Sequence, residues 1–245
     1  MTHMSLPGRG LCGAVAARFP NAPQRLQDFD ARSGWNRHAG QDGVEKFVVT
    51  PELQSEDSIG SDPLPPGQIW TIIPGGLDEN AGLFRIEVNE GPGSRVHILN
   101  RPAPAPFSES VRYAEQNLYT RAKQLAGDRD PREHEFSAQI RAFDAGKSGT
   151  ATGLAVLVSL CSALLQKSIK GGLVVIGEFN LGGSIEPVHN AVSVAELAIS
   201  KGASSLLVPM SAWKQLDDLP DDLVTKVNIL YYTHAREALL KAIVE

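Results

Sequence analysis

This chain of 245 residues has only two cysteines, Cys12 and Cys161, far apart and with no His or Cys cluster around either. That scarcity argues against a disulfide framework or a thiolate zinc site, and it fits a reducing cytoplasm. Cys161 falls in an apolar helical run and reads as a small buried hydrophobe. No stretch approaches the roughly 18 uninterrupted apolar residues of a membrane helix, so no membrane partner is expected. The net charge of -5 supplies no basic footprint, and nucleic-acid binding cannot be argued from composition. Acidic residues are missing ahead of Asp28, where Arg9, Arg18 and Arg25 stand among scattered Gly and Pro. A transit-like leader would have this composition. A secretory signal is disfavoured, because the apolar part from Leu11 to Phe19 is interrupted by Gly13 and Arg18. Residues 1–40 are therefore expected to be a disordered or non-native leader, with the fold beginning near residue 40.

What remains is ordinary for a globular protein: 42% hydrophobic and 21% charged residues, enough chain for one sizeable domain or two small ones. Strand-like segments are predicted at 44–50, 69–73, 83–89 and 95–99. They are separated by a polar loop at 51–67 and by turn signals at Pro74-Gly75-Gly76 and Gly91-Pro92-Gly93. Phe84, Ile86 and Val88 alternate with Arg85 and Glu87, as a strand with one buried face requires. A helix is predicted after Ser108, its cap, with Val111, Ala114, Leu118, Ala122 and Leu125 at helical spacing and Gly127 and Pro131 closing it. Long elements then alternate. Strands are expected at 135–143, 172–179, 204–208 and 227–232, helices at 150–166, 191–201, 212–216 and 235–243, and a hairpin turn at 182–187. Such an order needs crossovers, so part of the sheet is expected to be parallel in an α/β (α+β) fold. The domain division read from this pattern is a β-rich subdomain over 41–100 followed by a second domain over 101–245.

The segment Ala145-Gly146-Lys147-Ser148 sits between strand and helix as a phosphate loop would. That mechanism needs a glycine five residues before the Gly-Lys pair, and Arg141 stands there. A Gly-rich strand-to-helix turn is the better reading. The longer succession carries more. It runs from Gly149-Thr150-Ala151-Thr152-Gly153 through Gly177-Glu178 and Gly182-Gly183-Ser184-Ile185-Glu186-Pro187-Val188, then Glu196-Leu197-Ala198 and Lys201-Gly202-Ala203, to Leu207-Val208-Pro209. From Glu135 to the C-terminus this resembles the proteolytic domain of Lon proteases. The resemblance implies that family's mixed-sheet fold and a serine–lysine dyad, in which a desolvated lysine takes the serine proton and backbone amides hold the oxyanion.

Carried over residue by residue, the dyad is missing. The ungapped register puts the family's serine at Ala151 and its lysine at Val194, with the following Ala and Gly on Thr152 and Gly153. Ser148 is the first substitute nucleophile to weigh, with Thr150 and Thr152 behind it, although helix capping is the better reading of Ser148 and Thr150. Lys201, seven residues past Val194, is the candidate displaced base, and Lys147, adjacent to Ser148, is expected to point elsewhere unless the turn is unusual. Glu178 is expected to close a strand and bond a nearby amide. His189 is expected to be solvated or capping.

The region from near Val44 adds Phe47-Val48-Val49-Thr50-Pro51, Pro66-Gly67-Gln68-Ile69-Trp70-Thr71 and Gly82-Leu83-Phe84-Arg85-Ile86-Glu87-Val88. With Gly172–Pro187 and His189-Asn190, the chain is similar to the Lon-like (BrxL) family of BREX phage-exclusion systems. That resemblance implies an AAA+ ATPase module ahead of this region, a homo-oligomeric ring, and DNA or other BREX components as partners. ATP and Mg would belong to that module, and no cofactor or metal site is expected in this chain. Two readings follow. One is an assembly and partner-binding platform in phage defence, inactive as a peptidase on its own. The other is an ATP-dependent serine endopeptidase using Ser148 with a displaced lysine.

Overall fold

The computed structural model describes residues 58–74, 81–143 and 152–244, together with the backbone of two short strands nearer the N-terminus. The chain divides into two units, Met1–Ser58 and Ile59–Glu245. In the first, β1 (Trp35–Ala39) pairs antiparallel with β2 (Glu45–Val49). The strand β1 lies inside the stretch expected as leader, and β2 falls on the predicted 44–50 segment.

The second unit is built on seven strands in the order β5-β6-β4-β3-β7-β8-β9. They are β3 (Gln68–Ile73), β4 (Gly82–Pro92), β5 (Val96–Ile98), β6 (His134–Ala142), β7 (Leu173–Val175), β8 (Ser205–Pro209) and β9 (Asn228–Tyr232). β4 runs antiparallel to both β3 and β6, whereas β3, β7, β8 and β9 are mutually parallel in sequence along the sheet. The mixed sheet that the α/β order predicted is present. β4 runs on through Gly91 and Pro92, where a turn was expected, because these residues still pair with Glu135 and His134 of β6. That pairing also carries the unit across residue 100, where a subdomain boundary was expected: strands from either side of it share one sheet.

Period-two alternation gives the central strands two apolar faces, as a sheet covered on both sides demands. Ile69, Ile73, Leu173 and Val175 join one core, with α1 (Ala105–Thr120), α3 (Gly153–Leu165) and α7 (Ala235–Ala242). Trp70, Ile72, Val174 and Ile176 join the other, with α4 (Ala191–Ser200) and α5 (Trp213–Leu216). Two short helices, α2 (Ala122–Leu125) and α6 (Asp221–Val224), complete the set, and α6 had no counterpart among the sequence expectations. α3 is apolar on every side and buried from Gly153 to Leu164, as a helix wedged between α1, α7 and the sheet must be. Cys161 lies in it, fully buried, its thiol pushed up to about 12 by burial. Ser108 does not cap α1. The helix begins earlier, behind Pro104, where proline's fixed φ suits a helix start, and the Ser108 hydroxyl donates to the Pro104 carbonyl instead. Among the described residues, no helix is long and apolar enough to cross a membrane, and no His/Cys/Asp/Glu group could hold a metal.

Candidate functional site

Two helices, α3 and α4, begin toward the C-terminal end of β7, one on each face of the sheet; α4 includes Val194, whereas Ala151 precedes α3 in sequence and lies outside the described residues. What brings α3 there is the Gly177-Glu178 pair. Gly177 has φ +146°, and a Cβ on it would stand 1.9 Å from the Tyr232 hydroxyl. That hydroxyl, fully buried at the end of β9, donates to the Ile176 carbonyl at 2.8 Å. Only glycine admits both the backbone conformation and this approach. The turn aims Glu178 back at the start of α3, where Leu154 N–H donates to the Gly177 carbonyl at 3.1 Å.

The Glu178 carboxylate is half-buried and well supplied with donors. Oε2 accepts from the Gly153 amide at 3.1 Å and the Ser110 hydroxyl at 2.8 Å, while Oε1 accepts from the Phe179 amide at 3.0 Å. Burial raises its pKa above the ordinary carboxylate range, by more than these donors and the Thr152 amide lower it. The expected amide bond of Glu178 is therefore present, doubled, and joined by a hydroxyl from α1, but Glu178 does not close a strand, because β7 ends at Val175. A Cβ on Gly153 would stand 1.9 Å from Glu178 Oε1, so any side chain there would displace the carboxylate from this arrangement. Thr152, the residue before α3, is buried, and its hydroxyl has no hydrogen-bond partner among the described residues.

Beyond Glu178 the chain makes a hairpin. Phe179 bridges to Ile185, the Gly183 amide donates to the Asn180 carbonyl at 2.7 Å, and the Ser184 amide donates to Asn180 Oδ1 at 3.1 Å. Arg121, at the end of α1, pins its tip by donating to the carbonyls of Gly182 and Gly183 and to Asn117 Oδ1. Between α1 and this hairpin lies a cavity of about 270 Å³, into which Glu109, Ser110, Tyr113, Glu178 and Glu186 face.

The start of α4 is held differently. Gln215 of α5 accepts from the Ala191 amide at 3.1 Å and donates to the Val188 carbonyl at 2.7 Å, so a neutral amide caps this helix from outside. Val194 is fully buried in the second core, among Val188, Ala191, Ala195 and Ala198. The absence of a base does not depend on the register chosen, because α4 reads Ala-Val-Ser-Val-Ala-Glu-Leu-Ala-Ile-Ser and holds no lysine anywhere.

Ser148, Lys147, Thr150 and Ala151 lie outside the described residues. Lys201 is the C-cap of α4, and its carbonyl accepts from Ile59 beside the beginning of β7. Glu178 follows the other end of that strand, whose three residues span roughly 10 Å at the usual rise per residue. The fold does not bring Lys201 to the start of α3. His189 is exposed, as expected for a solvated role, and makes no hydrogen bond among the described residues. Two contributors escaped sequence reasoning, Ser110 and Gln215. Each reaches its partner across a long separation, and neither position carries a local pattern. Only the helical face that includes Ser110, Ala114 and Leu118 hinted that Ser110 is buried.

A family model for the Lon protease (S16) C-terminal proteolytic domain matches residues 43–245. The Lon-like protease BrxL of Escherichia coli O9:H4 (strain HS) is 28% identical over 200 residues, covering 81% of this chain and 29% of that protein. BrxL of Bacillus cereus (strain H3081.97) is 24% identical over the same shares of each. The Lon protease of Lawsonia intracellularis (strain PHE/MN1-00) is 27% identical over 201 residues, 80% of this chain and 23% of that enzyme. The chain thus spans less than a third of the length of these curated relatives. With the mixed sheet, the Gly177-Glu178 turn and the pinned hairpin in place, the chain belongs to the Lon protease C-terminal proteolytic domain family.

Proposed function

We propose that this chain is a Lon-fold module that serves as an assembly and partner-binding platform in a BREX-type phage-defence system and does not work as a serine–lysine peptidase. The observation that carries this reading is the composition of α4. Its first turns are filled by Ala191, Val192, Val194 and Ala195, of which Val194 is fully buried, and no lysine stands on the helix to take a serine proton. A hydroxyl without a base close by keeps little nucleophilicity at neutral pH, and a base displaced by many ångströms loses the advantage of positioning. Lys201 is displaced in that way. The similarity to proteins named BrxL supports the defence context, and an AAA+ module with its ATP and Mg is the partner that the family relationship suggests.

Two measurements on the full chain test this reading. Incubated with a fluorescently labelled unfolded protein, alone or with an AAA+ module supplied in trans with ATP and Mg, the chain releases no acid-soluble peptide. Sedimentation velocity finds it in a defined oligomer or in a complex with that module. Peptide release that disappears in Ser148→Ala would establish the peptidase reading instead. A chain that stays monomeric and binds no such module removes the platform reading.

A further inference from the structure

A concavity of about 490 Å³ opens where the end of α1, α2 and the start of α7 meet, lined in part by Arg121, Gln124, Leu125, Gly183, His234 and Arg236. Every ionisable group in that lining is an arginine or a histidine, and no carboxylate is among them. Each polar side chain presents a donor. Arg121 is already fixed by Asn117 Oδ1 at 2.9 Å and by the carbonyls of the 182–183 turn, so little rotamer freedom remains to be lost on binding. His234 accepts the Glu237 amide through Nδ1 at 3.1 Å, which leaves Nε2 to carry the proton of the neutral ring. Arg236 is exposed and has no acceptor among the described residues. The carboxylate nearest in sequence, Glu237, is committed to Thr233 and Lys241.

We propose that this concavity binds the phosphate group of a small phosphorylated ligand. Guanidinium groups match phosphate oxygens in geometry and in charge, and two of them with an imidazole N–H and an amide fit one compact oxyanion. The ligand is small because the cationic groups form one concave cluster rather than a stripe. The net charge of -5 also supplies no overall basic footprint of the kind that nucleic-acid binding would favour.

The test is an amide-resolved NMR titration of the full chain with inorganic phosphate, against chloride at matched ionic strength. Phosphate produces saturable shifts at Gln124, His234 and Arg236 that chloride does not. Arg236→Gln weakens the binding roughly tenfold, the effect of losing one charge-assisted bond, while Lys226→Gln on the far side of β9 leaves it unchanged. Because Arg236 is exposed, the rest of the spectrum reports that the variant is folded. The proposal is overturned by any of three results: no saturation with phosphate, equal weakening in the two variants, or binding of a short DNA duplex at these amides with none of phosphate.

Discussion

Helices α3 and α4 start at the same end of β7 and are held there by opposite means. At α3 a half-buried carboxylate gathers the amides of Gly153 and Phe179 and the hydroxyl of Ser110. At α4 a neutral amide, Gln215, bridges Val188 and Ala191, and the buried positions of the first turns beyond it, Ala191, Val194 and Ala195, are aliphatic. The strand, the glycine turn and the hairpin that place these helices are packing features, made by Gly177, Tyr232 and Arg121. Lon architecture can therefore persist while the residues that would do proton transfer change, because those residues contribute little to the contacts that set the fold. The α3 side has a polar start, and on the α4 side Val194 is core.

The largest effect expected from testing that contrast comes from returning a lysine to α4. Val194→Lys puts an ammonium among Val188, Ala191, Ala195 and Ala198, and it costs about 3 kcal/mol or more in urea unfolding. Val192→Lys, two residues away and half-buried, costs less than about 1 kcal/mol, because its stem can lie along the surface with its charge in water. Equal costs at the two positions would mean that α4 is not packed as described.

On the α3 side, Glu178→Ala strips the acceptors from two amides and a hydroxyl and destabilises the domain by about 2 kcal/mol in the same measurement. Gln215→Ala removes only the α4 cap and costs about 1 kcal/mol. If the order of these two were reversed, the carboxylate would not be the stronger of the two anchors.

The smallest effects are in pH dependence, where two carboxylates at helix starts differ in sign. Glu237, at the start of α7, is held down to about 2 by its bonds to Lys241 and Thr233. Its contribution is present above the ordinary carboxylate pKa and is lost as pH falls from about 4.5 toward 2. Glu178 is raised by burial, so its contribution is present below the ordinary pKa and is lost as pH rises through the folded value. Glu237→Gln therefore makes unfolding less sensitive to acid, whereas Glu178→Gln removes a loss that sets in above pH 4.5. Unfolding midpoints of the two variants across the acid range separate these behaviours.

Much of this was legible in the sequence because the relevant signals are local. The alternation of Phe84, Ile86 and Val88 and the apolar run around Cys161 each announce the element they form, whereas the strand expected over 172–179 ends at Val175 and the chain turns at Gly177. The extent of β4 was not legible, because Gly91 and Pro92 are turn formers that strand pairing overrides. The start of α1 was misplaced for a similar reason: Ser108 suits a cap, but Pro104 and the following turn supply the helix start. In the site, Val194 and Glu178 were found by counting along the chain. Ser110 and Gln215 were not, since a hydrogen bond between distant segments leaves no trace in either segment alone.

The most direct test of the central claim is labelling of the folded chain with a fluorophosphonate, read by intact mass and peptide mapping. A Lon-fold module without a serine–lysine pair takes up no more label than its heat-unfolded control. Stoichiometric labelling of a single serine in the folded chain, abolished by Ser148→Ala, would contradict it.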